Sequence, residues 1–155
     1  MLDNFSRKTL VWLIADKVSA KIRLSTIEAA LKFAFPEQNG SVRLVTDGGP
    51  ENDNHTMKEF IINNQVDINH QIALKDIVQS NSMVEASYHV LKGTGLYGKQ
   101  IHDRDELHKI LEHHFNEHDD IKPHYAHKIY TPNEVYNGAD PKICLTPEYR
   151  KAAKK

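Results

Sequence analysis

The chain has 155 residues, of which 39% are hydrophobic and 26% charged, with a formal net charge of −1. That is enough for one domain with one core, and too balanced a charge for a surface that binds nucleic acid over its whole extent. No apolar run reaches the roughly eighteen residues a bilayer span needs, and the opening "MLDNFSRK" has no apolar signal-peptide region. The single cysteine, Cys144, excludes an internal disulfide and a multi-cysteine zinc site. A reducing cytoplasm is the expected compartment.

"DNFSR" reads as a turn, and the apolar, β-branched run "KTLVWLIAD" (8–16) as a strand, with Trp12 on its core or sheet face. "STIEAALKFAF" (25–35) predicts a helix capped by Ser25 or Thr26, with Glu28 completing a capping box, and "PEQNG" closes it. "SVRLVT" (41–46) is the next strand and runs into Asp47. "HTMKEFIINN" predicts a short helix and "DINHQIAL" (67–74) an alternating strand. Helices follow over 80–92 and 103–118. "TPNEVYNG" is a helical turn that starts at Pro132 and stops at Gly138. The order β-α-β-α-β-α-α predicts a mixed α/β layer fold in one domain over 1–155. The tail "YRKAAKK" reads as a solvated, basic terminus that could touch phosphates.

The stretch "LVTDGGPEN" carries the first sign of chemistry. A buried strand ends on one carboxylate, Asp47, and the chain then turns through two glycines and a proline. On the helix over 80–92, a step of about 100° per residue puts Glu85 on a stripe with Tyr88, His89 and Lys92. Met83, Val84, Ala86, Val90 and Leu91 are expected on the opposite, buried side. Thirty-seven residues lie between Asp47 and Glu85, room for the helix and strand that bring a second helix back over a strand end. Two converging carboxylates suit Mg²⁺, which prefers oxygen ligands and keeps waters and substrate phosphates. A metal site of this kind serves phosphoryl transfer.

These stretches, in this order, resemble the catalytic core of DDE transposases and retroviral-type integrases, above all bacterial insertion-sequence transposases. "LDNFSRKTLVW" is similar to their D-x-x-S-R turn and following strand, and "VTDGGPEN" to the T-D-x-G-x-E setting of their second catalytic aspartate. "SNSMVEASYHVLK" is similar to the helix of their catalytic glutamate, and "IKPHYAHKIYTPNEVYNG" to their closing R-P-H…T-P segment. The resemblance covers nearly the whole chain. It implies an RNase H-like α/β fold and Mg²⁺- or Mn²⁺-dependent strand cleavage and transfer on DNA. It also implies a homo-oligomer on the element ends and target. Asp47 and Glu85 become the second and third acids of the triad and the metal ligands. Lys92 and His89 become contacts for DNA, and Gly48 and Gly49 let the chain turn away from Asp47.

The match begins at the D-x-x-S-R turn, so the family's first strand and first catalytic aspartate have no counterpart, and two carboxylates are expected to hold metal more weakly than three. Asp3 is the acid of the turn, and Asp16 lies at the far end of the next strand. Gly48 stands where the family commonly has Asn, and Asn52 where it has an aromatic, changes expected to weaken substrate contacts rather than the fold. The alternative reading is a non-catalytic remnant that binds DNA or full-length transposase. An unrelated two-metal nuclease or phosphatase fits the late T-P segment less well. "GTGLYG" (93–98) follows a helix rather than a strand, so it reads as a helix end and loop, not a dinucleotide site. His114 and His118 share helical spacing but lack a third zinc ligand, and read as helix surface. His124 is expected to pack or to touch DNA.

Overall fold

The computed structural model describes residues 1–76 and 82–142. The basic tail, Cys144 and the expected helix start at Ser80 lie outside these residues. The chain divides into two compact units, Met1 with Leu10–Tyr88, and Leu2–Thr9 with His89–Lys155.

The first unit is a mixed α/β layer. Its described elements are α1 (Ala20–Ala34), β1 (Ser41–Thr46), α2 (His55–Ile62) and β2 (Asp67–Ile72), and α3 (Ser82–Val90) crosses the division between the units. β1 and β2 pair in parallel, Ser41 opposite Asp67 through Thr46 opposite Ile72. Partners in a parallel ladder point to the same face, so Val42, Leu44 and Thr46 share a face with Ile68, His70 and Ile72. The core forms there, from Leu44 and Ile68 with Ile27 of α1 and Met57 of α2. His70 lies on the same face, where its Nε2 is 2.8 Å from Thr46 Oγ1.

Two expectations fail in this unit. Residues 8–16 form no strand. β-branched residues favour extended backbone, but a strand exists only where a ladder partner lies alongside. Here Leu10 N–H donates to Met1 O at 3.0 Å and the Met1 ammonium to Val11 O at 2.6 Å, and the regular sheet consists of β1 and β2 alone among the described residues. Helix α1 begins at Ala20, not Ser25. Ser19 is its cap, accepting from Ile22 N–H at 3.3 Å, and the Ser25 and Thr26 hydroxyls instead donate back to Ile22 O, as hydroxyls inside a helix do.

In the second unit α4 (Arg104–Asn116), capped by Asp103, runs into a wide π turn over Glu117–Ile121, and α5 (Pro132–Tyr136) carries a reciprocal capping box between Thr131 and Glu134. Gly138, at φ +104, stops α5 in the left-handed region. The D-x-x-S-R turn is built into this unit. Asp3 Oδ2 accepts from Ser6 N–H at 2.7 Å and from Ser6 Oγ at 2.6 Å, and Ser6 is fully buried. The Ser6 carbonyl accepts from His127 Nε2 at 2.8 Å, which fixes the Nε2–H tautomer. Lys8 reaches the Asn133 side-chain oxygen and lies over the Tyr136 ring. Both family-like segments, the opening turn and the closing one, therefore hold this unit together.

A ladder of histidines lines the same unit. Successive ring centroids from His114 to His118, His124 and His127 lie 6.5, 5.7 and 5.3 Å apart. The sides of the ladder carry Arg7, Glu117, Asp119 and Lys122. Burial, then the charge on His118, pushes His114 and His124 below the ordinary histidine value, with His127 and Arg7 adding to the effect on His124. Burial does the same to His70 in the first unit, against the opposing pull of Asp76 and Asp53. Since the folded chain binds these protons less readily than the unfolded chain, stability is full above about pH 6.5 and falls as the pH drops through and below it. Urea midpoints at pH 7.5 and 5.5 test this. The expected result is a lower midpoint at 5.5 that His114→Gln with His124→Gln brings back toward the neutral value; equal midpoints for the native chain refute it.

Candidate functional site

In sheets with parallel strands, ligands bind beyond the carboxyl ends of the strands, and in the first unit that edge carries an organised polar cluster. Asp47 follows β1 directly and is exposed. Its Oδ1 accepts from Asn52 Nδ2 at 2.5 Å and lies 3.5 Å from Gly49 N, while Oδ2 takes no hydrogen bond from the described residues. Asn52 N–H and Asp53 N–H both donate to Gly49 O, at 2.8 and 3.0 Å, and close the turn. Asn54 then caps α2, accepting from Met57 N–H at 2.9 Å while its Nδ2 donates to Pro50 O at 2.8 Å.

The two glycines do not act through a positive φ. Neither Gly48 nor Gly49 has a positive φ, so the turn does not require left-handed backbone at either. Gly49 matters through space. A Cβ there would lie 2.7 Å from the Glu51 carboxylate oxygens, and Glu51 would have to swing from its place 3.9 Å from Arg23.

The turn after β2 reaches the same edge. Ala73 N–H donates to Thr46 O at 2.8 Å, and Ile72 N–H to Asp76 Oδ2 at 2.7 Å. Lys75 Nζ lies 2.7 Å from Asp53 Oδ2, and Lys58 Nζ 3.4 Å from Asp53 Oδ1. The hydrogen bond from Lys75 holds the Asp53 carboxyl below its usual range and, reciprocally, raises the Lys75 ammonium. Pairs this exposed add little to stability, but they tie the two turns together. The sequence reading missed Asn52, Asp53 and Lys75 as site residues. The one local signal for Asn52 was its place across a Gly-Gly-Pro turn from Asp47.

Glu85 stands in the first turn of α3 and is exposed. No hydrogen bond or ion pair among the described residues joins it to Asp47. His89 is exposed in the last turn of α3, and Lys92 is exposed in the π segment Leu91–Leu96. The regular step of about 100° ends at Val90, because Tyr97 N–H donates to Lys92 O, an i to i+5 bond. Ala86 and Val90, expected to be buried, are exposed, whereas Leu91 is buried as expected.

"GTGLYG" forms most of that π segment and its exit, with no strand leading into it. Gly95 is buried, and a Cβ there would lie 3.2 Å from Leu91 Cδ1 and 3.3 Å from His114 Nδ1, so its role is close packing. His114 and His118 are half-buried rather than surface residues, and His118 Nδ1 lies 2.7 Å from Asp119 Oδ1. His124 packs, as one of the two expectations had it, and its Nδ1 accepts from Ala126 N–H at 3.2 Å.

Among the described residues no group of three His, Cys, Asp or Glu side chains is placed to hold a metal. The donor chemistry that does fit Mg²⁺ is Asp47, a hard carboxylate with one oxygen anchored and the other open, suited to an ion that takes one or two protein carboxylates and keeps its waters. No helix among the described residues is long and apolar enough to cross a membrane. The chain matches no protein-family model, no curated protein sequence and no solved structure.

Proposed function

We propose that this chain carries part of a DDE-type transposase or integrase core of RNase H-like fold, acting on DNA with Mg²⁺ or Mn²⁺. The observation that carries the reading is Asp47, an exposed carboxylate at the carboxyl end of a parallel strand, anchored through Oδ1 by the buried Asn52. Glu85 is the second proposed ligand, and the exposed Lys92 and His89 are the proposed contacts for DNA phosphates. When bound, the divalent ion neutralises charge on phosphate oxygens. The work of this chain's residues is to offer Asp47 Oδ2 in a fixed direction and to hold the DNA backbone. Asp3 keeps its place as the acid of the turn in this reading, with both Ser6 donors on its Oδ2. Homo-oligomerisation and a cytoplasmic setting belong to the same proposal.

The test is Mn²⁺ binding to the whole chain, followed by the electron paramagnetic resonance signal of the free ion. Asp47→Asn and Glu85→Gln are each expected to weaken binding at least tenfold. Equal affinity in the native chain and both variants overturns the proposal. A non-catalytic segment that binds DNA or full-length transposase is the second reading, favoured by the use of the D-x-x-S-R turn and His127 as internal struts. Metal-independent retention of DNA, unchanged by Asp47→Asn, decides for it.

A further inference from the structure

We infer that Asn52 is the positioning residue of Asp47, holding Oδ1 so that Oδ2 alone is offered to a divalent cation; this rests on the reading of Asp47 as a metal ligand. Asn52 is 2% exposed, and its backbone N–H closes the turn on Gly49 O, so the side chain has a fixed origin and a fixed direction. Its Nδ2 meets Asp47 Oδ1 at 2.5 Å. The opposite amide orientation would set a carbonyl oxygen against a carboxylate oxygen, so only one orientation is tenable.

That orientation leaves Asn52 Oδ1 buried without a hydrogen-bond partner among the described residues. A buried acceptor left unpaired is unfavourable and calls for an explanation. An apolar side chain of similar volume would fill the place without it. What such a side chain cannot do is donate to Asp47. The residue therefore serves the carboxylate rather than the core. A carboxylate with one oxygen clamped presents the other along one direction, which suits the narrow geometric tolerance of Mg²⁺. Groups that orient a ligand from behind characteristically contribute about 10–100-fold in metal affinity.

Mn²⁺ is the probe, titrated against the whole chain and its variants, with urea midpoints measured in EDTA alongside. Asn52→Leu is expected to weaken Mn²⁺ binding at least tenfold while the metal-free midpoint stays level or rises, a combination that general loss of structure does not produce. If Asp47→Asn abolishes binding and Asn52→Leu binds like the native chain, the positioning role is overturned while the ligand reading stands. If Asp47→Asn changes nothing, the ligand reading fails and the positioning role falls with it. Should Asn52→Leu fail to fold, Mg²⁺ titration of the ¹⁵N-labelled native chain decides. Movement of the Asn52 side-chain amide resonances together with the Asp47 backbone amide supports the role, and a stationary Asn52 amide overturns it.

Discussion

Met57→Ala is expected to destabilise the first unit by about 2–5 kcal/mol, the range for truncating a large buried side chain whose surroundings cannot collapse. Met57 is 1% exposed and is the contribution of α2 to the cluster with Ile27, Leu44 and Ile68. Each of those neighbours comes from a different element, α1, β1 and β2. The cavity would therefore open where four elements meet, and no single side-chain rotation refills it. Against a typical total of about 5–15 kcal/mol, the loss is large. Ile62, at the end of the same helix and 80% exposed, is the control. Ile62→Ala should stay within about 0.5 kcal/mol of the native chain. Urea unfolding followed by circular dichroism measures both, and hydrogen exchange at the Leu44 and Ile68 amides locates the loss. A Met57→Ala effect under about 1 kcal/mol would mean that this cluster is not the core.

The same cluster marks how far the fold can be read from sequence. β1 over Ser41–Thr46 is where the alternating run places it, and β2 ends at Ile72, two residues short of the run's end. Both have apolar residues at alternate positions and a partner beside them, so local pattern and tertiary pairing agree. The starts of α4 and α5, expected at 103 and at Pro132, were legible for the same reason, since helix starts are marked locally. Residues 8–16 have the same composition as a strand, yet nothing local reveals whether a ladder partner exists. Ser25 with Glu28 satisfies the capping-box pattern, but Ser19 satisfies the physical need earlier, and the pattern does not rank them. The π segments after α3 and α4 left no signal that a periodicity of about 3.6 residues could detect.

The candidate site was legible in part. Asp47 stood out because a charge at the end of an apolar strand is conspicuous. Its anchor was not, because Asn52 looks like any turn residue until its burial and its 2.5 Å contact are known. The tie between Asp53 and Lys75 links turns that follow different strands, and only the parallel register brings those turns to one edge. The histidines were misjudged in the opposite sense. Their helical spacing invited a surface reading, whereas their burial follows from contacts with the opening turn and the closing segment, both distant in sequence.

Asp119→Ala should destabilise the second unit by about 1–3 kcal/mol. Asp119 is 7% exposed, and its two oxygens accept from Thr9 N–H at 3.2 and 3.1 Å while Oδ1 lies 2.7 Å from His118 Nδ1. Truncation leaves both half-buried donors without this acceptor, and a stranded donor costs up to about 1–3 kcal/mol where water does not replace the lost partner. The carboxylate also reaches across more than a hundred residues of sequence, and Thr9 is the residue that pairs with Leu2 in the opening hairpin. Loss of its acceptor should therefore free that hairpin before it frees α4. Asp119→Asn keeps one acceptor oxygen for Thr9 and should cost less than Asp119→Ala, a ranking that separates the lost hydrogen bond from lost packing. Urea unfolding of both variants gives the magnitudes, and hydrogen exchange at the Thr9 amide gives the cause. Unchanged protection at Thr9 in Asp119→Ala, or a loss within about 0.5 kcal/mol, would remove Asp119 from the account of how this unit is held.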